Sequence, residues 1–356
     1  MGRFGFLAAV PLLLGGCYLV RQAQGQARIL LGSRPIEAML VDPSVPAATK
    51  AKLRLVAEIK DFGEKAMGLS RSGNYTSFFD TEGRPVTWIV SACRKDRFQP
   101  YTWWFPIVGE VPYKGFFSPE DALVEARELL AEGYDVSLRP VGAYSTLGYF
   151  PDPVLSTMLD DPEEELVALI LHELTHGTLY LPGGTDFNEG LASFVGWQGA
   201  LEFARGRYGT DSPEYGDTVR AFGREERRDA EAKELFRRLH DLYASDTPLE
   251  RKLELRELVA SGLADERRRR ARAARSELSA LSASGAGELE ILVAKERLEL
   301  HLPIGDRRVN NAEILMQRRY GRYEQFRAAF DKAGGDWRRF FAALRATSRP
   351  GPTAGP

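Results

Sequence analysis

Cysteine is nearly absent from this chain of 356 residues, occurring at Cys17 and Cys93, and histidine appears four times, at His172, His176, His240 and His301. With the first cysteine inside an apolar leader, neither a disulfide framework nor a cysteine-based zinc site can be built. Any metal must be held by imidazole and carboxylate. Net charge is equally scarce: 48 basic residues against 50 acidic ones leave a formal charge of -2. That supplies no global field for nucleic acid or an anionic membrane surface. A membrane-spanning run is missing too, because the apolar stretch Phe4 to Leu14 has 11 residues and a spanning helix needs about 20. What the chain does have is 44% hydrophobic and 10% aromatic residues, enough apolar material for a globular body of about two domains' length.

The leader reads as a processing signal over residues 1–16: Arg3, the apolar run, then Gly15 and Gly16 directly before Cys17. Leu14-Gly15-Gly16-Cys17 resembles the bacterial lipobox, which predicts cleavage before Cys17 and acylation of that cysteine. Lipid chains contribute about 0.8 kcal/mol per buried methylene, so an acylated Cys17 anchors a body that has no spanning helix. Tyr18 stands where an aspartate would resemble the inner-membrane retention signal. The expected location is therefore the bacterial cell envelope, at the outer membrane and facing the periplasm.

In the mature chain, Val20 to Gly68 mixes apolar and charged positions in helical fashion, with a break at Pro43 to Pro46. Tyr75 to Phe117 is strand territory, rich in Trp, Tyr, Phe and Val interrupted by Gly and Pro. Ser118-Pro119-Glu120-Asp121 predicts a capped helix over 119–132, after which Tyr134 to Val141 alternates and returns to extended structure. From Tyr215 to Leu300 the composition shifts to Arg, Glu, Ala and Leu, the pattern of a long helical hairpin. Its basic run within 266–275 can be faced by Glu225, Glu226, Asp229, Glu231 and Glu234 of the other arm, which argues against a nucleic-acid surface. The expected units are 17–212 with the sheet and metal helices, 213–300 as the charged hairpin, 301–347 as helices completing a cleft, and 348–356 as a disordered tail. Cys93 reads as a small buried residue.

Two of the four histidines lie in His172-Glu173-Leu174-Thr175-His176. On a helix, positions i and i+4 share a face, so both imidazoles converge on one zinc ion with the intervening glutamate beside the open position. The sequence supplies that helix, with Asp161 as N-cap, Pro162 in its first turn, three glutamates after it and Gly177 to end it. Glu189, thirteen positions beyond His176, opens a second helix in Phe187-Asn188-Glu189-Gly190-Leu191-Ala192-Ser193-Phe194, after a turn through 182–185. Antiparallel packing of the two would complete a His172, His176, Glu189 zinc site. There Glu173 serves as general base in amide hydrolysis. An oxyanion donor must come from elsewhere, and His301, Tyr320 and Tyr323 are the candidates, Tyr320 foremost.

The HELTH and FNEGLASF segments resemble the gluzincin metallopeptidases. Together with Trp104 to Phe117, Gly142 to Met158 and Val309 to Tyr320, they are similar to the bacterial predicted-aminopeptidase family, largely predicted lipoproteins, over roughly Val20 to Leu344. The resemblance implies an α+β, mainly α fold: a gluzincin-like core, a small mixed sheet and the hairpin. It also implies His172, His176 and Glu189 as ligands and Glu173 as the base. In gluzincins an edge strand before the metal helix pairs with the substrate, the place taken here by residues 142–149 with Gly142, Ala143 and Tyr144. Asn310 and Asn311 are divided between helix capping and substrate binding. The expected partners are a peptide or protein substrate and the membrane through Cys17, with no nucleic acid and no oligomeric state implied. The rival readings are an endopeptidase acting on envelope proteins and an inactive lipid-anchored scaffold.

Overall fold

The computed structural model describes residues 9–105, 109–141, 151–284, 291, 309–320 and 323–347. In chain order, α1 (Ala9–Gly32), β1 (Arg34–Pro35), α2 (Ile36–Val41) and α3 (Ala47–Lys65) precede the strand-rich segment. That segment holds β2 (Ser77–Phe79), β3 (Thr87–Arg94), β4 (Trp103–Phe105), β5 (Gly109–Val111), β6 (Lys114–Phe116), α4 (Pro119–Ala131), β7 (Tyr134–Val141) and β8 (Val154–Leu155). A short 3-10 turn leads to α5 (Glu163–His176), α6 (Thr185–Tyr208), α7 (Pro213–Ala244) and α8 (Leu249–Ser284). Then come α9 (Asn311–Tyr320), α10 (Tyr323–Lys332) and α11 (Trp337–Thr347). The fold is α+β and mainly α. Among the described residues no helix is long and apolar enough to cross a membrane.

Among the described residues, three small sheets carry the β structure. β3 pairs antiparallel with β7 from Thr87 opposite Val141 to Arg94 opposite Tyr134, and with β6 on its other edge. α4 lies on this sheet and buries Ala122, Ala126 and Leu129 against Val90, Ala92, Phe116 and Tyr134. The helix begins as the sequence predicts: Ser118 accepts from Asp121 N at 3.2 Å with Pro119 at the first position. The second sheet is mixed, β1 antiparallel and β8 parallel to β2. The third is the β4 and β5 pair.

The main core surrounds α5, whose Leu166, Ile170, Leu171 and Leu174 are almost wholly buried, with α3 and α6 against it. A helix buried on nearly every face lies in the middle of a body, not on its surface. Behind α6 an aromatic cluster of Phe194, Phe326, Phe330, Trp337 and Phe340 ties α10 and α11 to it.

The hairpin forms from α7 and α8 as expected, but its charges are arranged differently. Glu225, Asp229 and Glu234 pair with Arg228, Lys233, Arg237 and Arg238 of their own helix, and Glu226 pairs with Arg327 of α10. Partners three or four residues away on one helix are already within reach, so they capture the acids before the opposite arm does. Arg238 and Glu266, 3.6 Å apart, do join the two arms. The base of the hairpin is bolted to the β3 and β7 sheet by the buried Arg256, which pairs with Asp135 at 2.8 Å and donates to the carbonyls of Lys95 and Val309.

Candidate functional site

α5 begins one residue later than the sequence implies. Pro162 is its N-cap and Asp161 belongs to the preceding turn; the first helical bond runs from Leu166 N to Pro162 O, where the missing proline N–H costs nothing. Gly177 ends the helix in a right-handed conformation (φ -72) and needs no left-handed turn. α6 likewise opens at Thr185, ahead of the expected start, so Glu189 stands one turn inside the helix. The connection is clamped by Asn188, which is almost fully buried. Its amide donates to Leu181 O and accepts from Leu181 N, both at 2.8 Å.

This packing makes the site. Along α6, Glu189, Ser193, Gly196 and Ala200 recur at i, i+4, i+7 and i+11, one face of a helix. That face is turned to α5 and carries small residues. A Cβ at Gly196 would lie 2.5 Å from the carbonyl oxygen of Ala168, so only glycine lets the helices approach this closely. The approach carries the Glu189 carboxylate to the two imidazoles. His172 Nε2 and His176 Nε2 are 3.2 Å apart, and Glu189 Oε2 stands 3.4 and 3.7 Å from them. Among the described residues, these three form the group of side chains able to hold a metal, one ligand atom from each lying within 4.8 Å of the others.

The geometry fits zinc. Ligand bonds of about 2.0 to 2.1 Å at tetrahedral angles put neighbouring ligand atoms about 3.3 Å apart, which is the spacing between these groups. The donor set of two neutral imidazoles and one carboxylate is of the catalytic kind that leaves a fourth position open. Burial works to depress His172, but the hydrogen bond and charge of Glu189, with Glu173, outweigh it and leave that imidazole raised. His176 is pushed down to about 4 by burial and by its neighbour His172, which favours the neutral ligand form.

His172, His176, Glu189 and Glu173 open onto a cleft of about 660 Å³. Its further walls come from the sheet (Thr87, Ile89, Gly115), from α7 (Ala221, Glu225) and from Tyr323 of α10. Arg224 pairs with Glu165 at 3.6 Å and Arg228 with Glu225 at 3.1 Å, so charges along this rim are internally balanced.

Of the residues expected from sequence, His172, Glu173, His176 and Glu189 come together. Tyr323 stands in the cleft wall, and burial, with Glu225, Asp229 and Glu226, holds its phenol far above the usual range. Tyr320 ends α9, but its side chain, like the whole of Gly142, Ala143, Tyr144 and His301, lies outside the described residues. The tail 348–356 lies outside them as well. Asn310 has the capping role: its Oδ1 accepts from Ala312 N and Glu313 N while its amide donates to Val136 O. Asn311 is fully buried, bonded to Arg94 O, Lys95 O and the Tyr243 hydroxyl. Both asparagines therefore brace α9 on the sheet, and Asn311 is out of a substrate's reach. Cys93 is buried, its thiol pushed up to about 12 by burial and Asp135.

Sequence reasoning missed two neighbours of the centre. Ser193 Oγ is 3.5 Å from His172 Nδ1, where it can fix the tautomer of that ligand. Its place four residues after Glu189 was the available signal. Tyr75, with a left-handed backbone (φ 60), is buried beside Glu173 and Asp152, whose charges add to burial in raising its phenol. No local pattern announces that residue.

A family model described as a putative aminopeptidase matches residues 17–352. No curated protein matches the chain. No solved structure does so either.

Proposed function

The chain belongs to the putative aminopeptidase family, and from that membership we propose that it is a zinc metallopeptidase, an aminopeptidase anchored through a lipidated Cys17. The observation that carries the reading is the convergence of His172, His176 and Glu189 at tetrahedral spacing, with Glu173 opening onto the same cleft. Zinc held by His172, His176 and Glu189 would supply Lewis acidity, lowering the pKa of a water toward about 7 and polarising a carbonyl. Glu173 accepts the proton of the attacking water at its carboxylate and returns it to the leaving amine. Ser193 holds His172 in the ligand tautomer.

A neutral phenol from the C-terminal helices donates to the developing oxyanion. Tyr320 is the sequence candidate, and Tyr323 supports the same reading from the cleft wall, since burial keeps its phenol protonated. The cell envelope is the proposed compartment, on the resemblance of Leu14-Gly15-Gly16-Cys17 to a lipobox.

The test separates binding from chemistry. Glu173→Gln keeps the size of the side chain but cannot take up the proton. It should retain one zinc by elemental analysis and lose about a hundredfold or more in turnover of a free-amine peptide substrate. Full turnover in that variant would remove Glu173 from the mechanism. Equal cleavage of free and N-acetylated peptides by the wild type would make the enzyme an endopeptidase.

A further inference from the structure

The metal cleft shares a wall with the N-terminal helix. Gln22 of α1 lines it together with Gly115, in the same cleft as His172, His176 and Glu189. Gln22 donates to Gly115 O at 3.2 Å, and the Tyr18 hydroxyl donates to the same carbonyl at 2.9 Å. The Tyr18 ring packs between Phe105 and Phe116, centroids 6.0 and 5.8 Å away, under the Lys114 ammonium. One turn on, Arg21 pairs with Asp121. At Gly25 a Cβ would fall within the ring of Phe117. Ile29 is almost wholly buried. Positions 18, 21, 22, 25 and 29 form one helical face, so α1 is fastened to the body from Tyr18 onward.

The residue before Tyr18 is Cys17. No slack separates the proposed point of acylation from the cleft wall: at 1.5 Å per residue, Cys17 lies about 7.5 Å along the helix from Gln22. A lipid-modified residue sits at the level of the headgroups, a layer about 5 to 7 Å deep on each side of the hydrocarbon. We infer that the cleft opens at the membrane surface and that its substrates are polypeptide segments tethered to or lying on the bilayer, within a nanometre or two of it. This rests on the lipid-anchor and peptidase readings above. Confining enzyme and substrate to one surface raises their effective concentration, and a rigid attachment restricts the gain to substrates of matching height.

The experiment uses full-length acylated protein in phosphatidylethanolamine and phosphatidylglycerol vesicles. Two quenched peptides of identical sequence serve as substrates, one soluble and one carrying a single acyl chain on a short spacer. A second protein carries roughly 20 Gly/Ser residues between Cys17 and Tyr18, a flexible span of about 25 Å. The wild type should favour the acylated peptide by about tenfold or more in apparent kcat/KM, and the insertion should lose most of that preference while turning over the soluble peptide unchanged. Mass spectrometry of both proteins reports acylation of Cys17. Acylated proteins that treat both peptides alike, with or without the insertion, would overturn this inference alone. An unmodified Cys17 would overturn the anchor, and absence of turnover on either peptide the peptidase reading, and each would take the inference with it.

Discussion

Ser193 and Gly196 show how one residue type at one position decides what the neighbouring helix can do. Ser193 Oγ reaches His172 Nδ1 at 3.5 Å, while Nε2 of the same ring faces Glu189. A ligand imidazole held at its second nitrogen keeps the tautomer and ring orientation that the metal needs, and losing such a partner typically costs 10- to 100-fold in metal affinity. Ser193→Ala should therefore weaken zinc binding by about tenfold in competition with a chromogenic chelator, with the fold intact by circular dichroism. Unchanged affinity would show that His172 is oriented by packing alone. Gly196 acts through space, not polarity. In Gly196→Ala the added methyl meets the Ala168 carbonyl, a backbone atom that cannot swing aside, and its other neighbour is the Cβ of His172 itself at 3.3 Å. The helices must separate, which lifts Glu189 from the imidazoles. The variant should lose stability by about 1 to 3 kcal/mol in denaturant melts and bind zinc more weakly. A Gly196→Ala protein with normal zinc affinity would show that α6 can slide without cost.

At the scale of elements, docking of α1 is the feature that pH can address. Burial and the charge of Glu125 raise the Tyr18 phenol from 10.0 to about 12. Below pH 10 both the docked and the released helix hold a neutral phenol, so its contribution to docking is complete. Between pH 10 and 12 the released phenol ionises and the docked one does not, so docking weakens, and beyond pH 12 the contribution is gone. The difference between the tyrosinate absorbance titrations of wild type and Tyr18→Phe should show one phenol ionising near pH 12. A normal midpoint near 10 would mean that α1 is not held at Tyr18.

Much of this architecture was readable because its signals are local. The alternation of 134–141 became β7, the cap at Ser118 started α4, and the His-x-x-x-His spacing placed both imidazoles on one helical face. What escaped depends on atoms far apart in sequence. The hydroxyl of Tyr243 and the carbonyls of Arg94 and Lys95, which engage Asn311, lie 68 to 217 residues from it. The partners of Glu225, Asp229 and Glu234 differ from the expected cross-arm pairing for the opposite reason. That pairing spans the two arms, while nearer partners on the same helix are already in place.

For the whole molecule, the question is whether the proposed metal centre would be assembled by an ion or stands ready for one. The Asn188 clamp and the close approach at Gly196 hold α5 and α6 together through protein contacts, and the aromatic cluster around Phe194 fixes α6 to α10 and α11. The metal-free protein should therefore remain folded, unlike small domains whose folding free energy is the binding free energy of zinc. An ion that binds the native state still adds stability by mass action, about 4 kcal/mol at a thousandfold excess over Kd. Chelation should lower the melting temperature of the wild type by roughly 5 °C and leave helical circular dichroism at room temperature unchanged. Glu189→Ala, which lacks one ligand, should melt below the wild type and respond little to the chelator. Collapse of the helical signal on chelation would show that the ion builds the core. An equal chelator response in Glu189→Ala would move the third ligand to another residue.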